Sequence, residues 1–124
     1  DSLVAESREL PAGGGLDARA GGLVDALVQG PAHGGLAVLP AGTAVLHAYL
    51  DDRGQLTLDL SRAFRQGFRG GSRAEELAVG SLVRTLAANL PDVKRVLIVC
   101  GGAPLGSLGG HVPLDQPLDP HDWP

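Results

Sequence analysis

Residues 72–100, SRAEELAVGSLVRTLAANLPDVKRVLIVC, read as one long amphipathic helix, a proline stop and a strand. Leu77, Val79, Leu82, Val83, Leu86 and Leu90 recur at the three- and four-residue intervals that place side chains on one face of a 3.6-residue helix. Ser72 followed by Glu75 has capping-box spacing, which predicts a helix start at Ser72 with the carboxylate reaching back to a free N–H. Pro91 ends the helix. Arg95 to Cys100 is a short, nearly continuous apolar run, the pattern of a buried central strand. The unit builds a core and offers no chemistry of its own.

Working outward, the sequence before Ser72 supplies the other elements. Gln55 to Leu60 alternates strictly, which sends Leu56, Leu58 and Leu60 to the core and Gln55, Thr57 and Asp59 to the other face. Asp51-Asp52-Arg53-Gly54 is turn chemistry, so Ala44 to Leu50 and Gln55 to Leu60 are expected to form a hairpin. Asp17 to Gln29 has helical spacing at Ala20, Leu23, Val24, Leu27 and Val28, is weakened by Gly21 and Gly22, and stops at Gly30-Pro31. Ser2 to Leu10 reads as an edge strand, and Ser61 to Phe68 as a short helical turn with Phe64 and Phe68 inward. The fold expected is α+β, a β-α-β-β-α-β two-layer sandwich with a mostly antiparallel sheet and helices on one face. Residues 1–118 form a single domain in this reading, and 119–124 an extended Pro-rich tail.

The totals bound the function. In 124 residues there are 10 basic and 14 acidic side chains, a net charge of −4, so the overall field opposes a polyanion. Nine of the basic residues are Arg and one is Lys, and only four residues are aromatic, too few for the stacking platforms of single-strand nucleic-acid binders. The lone Cys100 has no partner for an intrachain disulfide. No apolar run reaches the roughly 20 residues that span a bilayer.

Candidate chemistry is sparse. Gly70-Gly71-Ser72-Arg73 resembles a hydrolase nucleophile elbow, but Ala74 stands at the last glycine and no strand precedes the serine. Gly106-Ser107-Leu108-Gly109 also misses the pattern, which leaves a serine hydrolase using Ser72 or Ser107 with His111 as the weakest reading. His33, His47, His111 and His121 lie at no metal-ligand spacing, so no metal and no cofactor are expected. Arg62, Arg65, Arg69 and Arg73 form the basic patch, with no acid between Ser61 and Glu75. Inside it, Gly67-Phe68-Arg69-Gly70 is a G-x-x-G loop between helices, resembling the backbone clamp of a KH-like RNA-binding module. The plainer reading is a solvated basic loop.

Several segments in order resemble one family. Leu27-Val28-Gln29-Gly30-Pro31, Leu39-Pro40-Ala41-Gly42-Thr43, Gly54 to Ser61, Gly71 to Glu76, Leu82 to Leu86, Val93 to Val99, Gly110-His111-Val112 and Gln116-Pro117-Leu118 together resemble the GerMN domain of sporulation, spore-germination and envelope lipoproteins. Two departures accompany the match. The strand with which family members usually begin does not precede Leu3-Val4 here, so a sheet edge is expected to be unpaired or filled by another copy, and Cys100-Gly101-Gly102 stands where an acidic residue and Gly are common.

The resemblance implies a non-enzymatic, extracytoplasmic module with no catalytic residues, akin to ring-building α/β modules, in a membrane-anchored lipoprotein whose targeting segment lies upstream. It further implies envelope protein partners, with peptidoglycan contact as a second option and self-association through the open sheet edge as a third. Membrane attachment would come only through an upstream lipid anchor, and nucleic acid is disfavoured. The expected docking surfaces are the outer sheet face at His47, Tyr49, Thr57 and Asp59, and the loop carrying Arg62, Arg65, Arg69 and Arg73.

Overall fold

The computed structural model describes residues 15–30 and 39–123. The edge strand expected at Ser2 to Leu10 and the loop at His33 to Gly35 lie outside them. Helix α1 spans Leu16–Gln29, one residue longer at its start than the spacing predicts, and runs unbroken through Gly21 and Gly22. Gly30 ends it with φ 100°, a conformation that a side chain resists, while its N–H donates to the Ala26 carbonyl. Strands β1, Val45–Leu50, and β2, Gln55–Leu60, form the expected hairpin. Its turn is closed from within, because Asp51 Oδ1 accepts from the N–H groups of Arg53 and Gln55, each at 2.9 Å.

A single turn, α2 at Ala63–Gln66, seats Phe64 with no exposed surface and leads to α3, Ser72–Asn89. Leu90 is extended (φ −122°, ψ 92°), as the residue before Pro91 must be. The chain then enters β3, Arg95–Cys100, and a two-residue strand β4, Ala103–Pro104.

The sheet order is β1-β2-β3-β4, and it is mixed. The two outer pairings are antiparallel and the central β2–β3 pairing is parallel, with Leu56 opposite Val96 and Leu58 opposite Ile98. A parallel neighbour requires a crossover, and α2 and α3 provide it. Leu56, Leu58 and Leu60 from β2, Val96 and Ile98 from β3, Leu23 and Val24 from α1, and Val79, Leu82 and Leu86 from α3 fuse into one core. The sheet is therefore covered on one face.

Two readings of the sequence change here. Leu97 and Val99 are half-buried on the side of β3 away from the core, so this strand is apolar on both faces although only one is covered by an element among the described residues. Residues 119–123, where an extended tail is expected, contain a 3-10 turn at Pro120–Asp122 with Pro120 buried. Leu118 pairs antiparallel with Val96, and Trp123 packs against the core. The sequence signal for the tail was its prolines, and Pro120 at the first position of a helical turn is compatible with such a turn.

Phe64 anchors the α2 connection in the core. Phe64→Ala is expected to destabilise the domain by about 3–5 kcal/mol in equilibrium urea denaturation, with the cooperative transition retained.

Candidate functional site

The hairpin register sets the first candidate surface. His47 stands opposite Asp59 and Tyr49 opposite Thr57, and the parallel register continues the rows to Leu97 and Val99 on β3. The four predicted outer-face residues thus form one cross-strand strip. Tyr49 is 68% exposed. A register irregularity between Val45 and His47 leaves Leu46 as the extra residue of the strand, 46% exposed beside the strip. Asp59 is partly committed, since its Oδ1 accepts from the Gly102 N–H at 3.0 Å. Sequence reasoning missed Leu97 and Val99 on this face, because a continuous apolar run does not reveal which of its two faces is covered.

All four arginines of the second surface are exposed along α2, the following loop and the start of α3. Arg69 Nη1 donates to the carbonyls of Gln66 and Phe68 at 2.9 and 2.8 Å, so this guanidinium closes its own loop. The glycines of the G-x-x-G segment are explained by packing. A Cβ on Gly67 would lie 2.8 Å from the Ala63 carbonyl oxygen and 2.9 Å from Pro40 Cβ, and one on Gly70 would lie 2.5 Å from Ala74 Cβ. Arg62 lies apart from its neighbours along the Gly101 backbone, where an added Cβ would meet its Cγ at 2.9 Å. The Gly101-Gly102 turn therefore touches both surfaces, taking Arg62 on one residue and Asp59 on the next.

The capping box at Ser72 and Glu75 is not formed. Gly71 is the N-cap, no side chain caps the helix, and Ser72 is already its first residue. Glu75 instead points inward with no exposed surface. Its Oε2 accepts from Leu108 N–H at 3.2 Å and Val112 N–H at 2.9 Å, and its Oε1 from His111 N–H at 3.1 Å. Burial is the largest single influence and raises its pKa, but the amides of Val112, Gly109, His111 and Leu108 together outweigh it and hold the carboxyl below its ordinary 4.5. Gly109 eases this approach, because a Cβ there would sit 3.0 Å from Glu75 Oε1 and push the carboxylate aside. The only sequence signal was a lone acid in the first turn facing a Gly-rich segment more than thirty residues away.

Ser107 Oγ accepts from the Gly110 N–H at 2.9 Å, and among the described residues no hydrogen bond joins Ser72 or Ser107 to His111. Nor do any three His, Cys, Asp or Glu side chains among the described residues gather as metal ligands.

This geometry defines an α+β domain with a one-sided mixed sheet, and comparison places it in a family. The profile described as "Germane: Sporulation and spore germination" matches residues 2–106, so the chain belongs to that family. Among solved structures, the first GerMN domain of the sporulation protein GerM from Bacillus subtilis is 26% identical, with a TM-score of 0.74 over 96% of this chain and 89% of that one. The tandem GerMN domains of the same protein match at 26% identity and a TM-score of 0.70, over 91% of this chain and 40% of theirs. A putative lipoprotein from Clostridium perfringens shares the fold at 24% identity, TM-score 0.73, over 87% of this chain and 71% of that one. No curated protein matches significantly. The family is defined by sporulation and germination and not by a catalysed reaction.

The Glu75 cluster has a testable pH signature. With a folded-state pKa below 4.5, its contribution is fully present above that value and is lost as the pH falls through the folded-state value. Glu75→Gln is expected to cost about 2 kcal/mol or more at pH 7, because an amide puts its own donors among the loop N–H groups. Urea denaturation at pH 7 and pH 3 checks this. The penalty should shrink at pH 3, and a penalty independent of pH would contradict the assignment.

Proposed function

We propose that the domain is a non-enzymatic interaction module of the bacterial cell envelope, which holds a protein partner on the sheet face that no described element covers. The observation that carries this reading is the strip from Tyr49 through Thr57 to Leu97, with Asp59 and Val99 in the next row. An aromatic ring on β1 and half-buried aliphatics on β3, flanking Thr57 and Asp59 on β2, have the mixed composition of a small protein-docking face. Family membership and the resemblance to a sporulation protein and a putative lipoprotein support an extracytoplasmic, lipid-anchored setting. Arg62, at the end of the strip, supplies a cation for an acidic rim on the partner. In this reading Arg65, Arg69 and Arg73 are peripheral, and peptidoglycan contact and self-association through the β1 edge are secondary modes.

A photo-crosslinking residue placed at Tyr49 is expected to capture a discrete protein partner in envelope fractions of the host, whereas the same residue at the exposed Ala88 on α3 should not. Tyr49→Arg should abolish binding while leaving the melting temperature within about 2 °C, as a surface substitution does. Capture from Ala88 alone, or no product from Tyr49, would overturn the proposal.

A further inference from the structure

Beside the start of α3 lies a cleft that the sheet-face reading does not use. Its lining includes Glu76 on α3, His111, Gln116 and two prolines from the loop, and Asp122 and Trp123 from the closing turn. The fold pins each wall separately. Glu75 holds residues 108–112 from inside, so Glu76, about 100° further round the helix, faces out along the same loop. The Val96–Leu118 pairing fixes the far end of the loop, with N–H to carbonyl distances of 2.9 and 2.7 Å. Asp119 caps the closing turn by accepting from the His121 N–H at 2.9 Å.

We infer that this cleft binds a neutral oligosaccharide. The cleft is shallow and open to solvent, with a volume of about 480 Å³, inside the range of roughly 300–1,000 Å³ for small-ligand sites. Trp123 and the two prolines offer an apolar surface, against which the C–H face of a pyranose ring can lie. Glu76, Gln116 and Asp122 are exposed around it. The Glu76 and Asp122 carboxylates have no hydrogen-bonded or ionic partner among the described residues. The two carboxylates accept, while the Gln116 amide and the His111 ring on the same rim can also donate, a mixture that matches sugar hydroxyls, each of which is both donor and acceptor. One carboxylate is carried by α3 and the other by the closing turn. Trp123 also carries a cost that the core alone does not require. Its Nε1 is buried with no hydrogen-bond partner among the described residues, whereas an aliphatic side chain would fill the space without that orphan donor. Tryptophan contributes the broad ring that stacking needs.

Trp123 is the sole tryptophan of the chain, so its fluorescence reports this cleft alone. The intact chain is titrated with cellotetraose, with its N-acetylated counterpart chitotetraose, and with pentalysine. A saturable change in emission with at least one sugar is expected. Glu76→Ala and Gln116→Ala should weaken it by at least about tenfold with the far-UV circular dichroism unchanged, and Tyr49→Arg should leave it intact. That last variant separates this inference from the sheet-face proposal, since either surface can fail while the other holds. No response to either sugar up to about 10 mM would overturn the inference. A response to pentalysine alone would overturn it too, and would make the cleft a site for a cationic peptide.

Discussion

Glu75 is a carboxylate in the interior of the domain, and the second half of the molecule is arranged around keeping it charged. Moving an ionised carboxylate out of water costs several kcal/mol unless hydrogen bonds replace the lost hydration. Three N–H groups from one short segment do so here, with the Gly109 amide close by. Their convergence needs a tight backbone, which is why Gly109 sits where a Cβ would crowd the carboxylate and Gly110 takes φ 91°. Once the segment is held, Leu105, Val112 and Leu114 are carried into the core. A stretch with almost no regular secondary structure thereby becomes part of the hydrophobic interior.

The second constraint is topological. Placing β3 parallel to β2 forces the chain through α2 and α3, and both lie on the side where α1 already sits. The other face of the sheet then has no layer of its own among the described residues. Tyr49, Leu97 and Val99 on that face follow from the connection and not from a local peculiarity of their strands. The bonds at its end, from the Gly102 N–H to Asp59 and from the Gly101 N–H to the Leu60 carbonyl, keep the last turn of the sheet in place while leaving the middle of the strip open.

What could be read in the sequence was whatever a short window encodes. Strict alternation at Leu56, Leu58 and Leu60 identified their inward face, helical spacing identified α3, and the Asp51 to Gly54 turn identified the hairpin. His47, Tyr49, Thr57 and Asp59 came from the same alternation, extended across one pairing. Glu75 was misread because a capping box and an inward anchor share the same local spacing, and only a partner more than thirty residues away distinguishes them. For the same reason the bond from the Gly102 N–H to Asp59 left no local trace. Leu97 and Val99 were ambiguous for a different reason, since an unbroken apolar run carries no period.

Glu75 and Glu76 show how little separates structure from surface in this fold. They are adjacent and chemically identical, and a helix turns about 100° between them. That rotation puts one carboxylate among backbone amides and leaves the other free at the edge of the Trp123 cleft. Exchanging their roles would require α3 to rotate by one residue, which would also withdraw Val79, Leu82 and Leu86 from the core. The apolar face of the helix therefore determines which acid closes the molecule and which is left available to a ligand. The same packing that stabilises the domain fixes the chemistry of its surface.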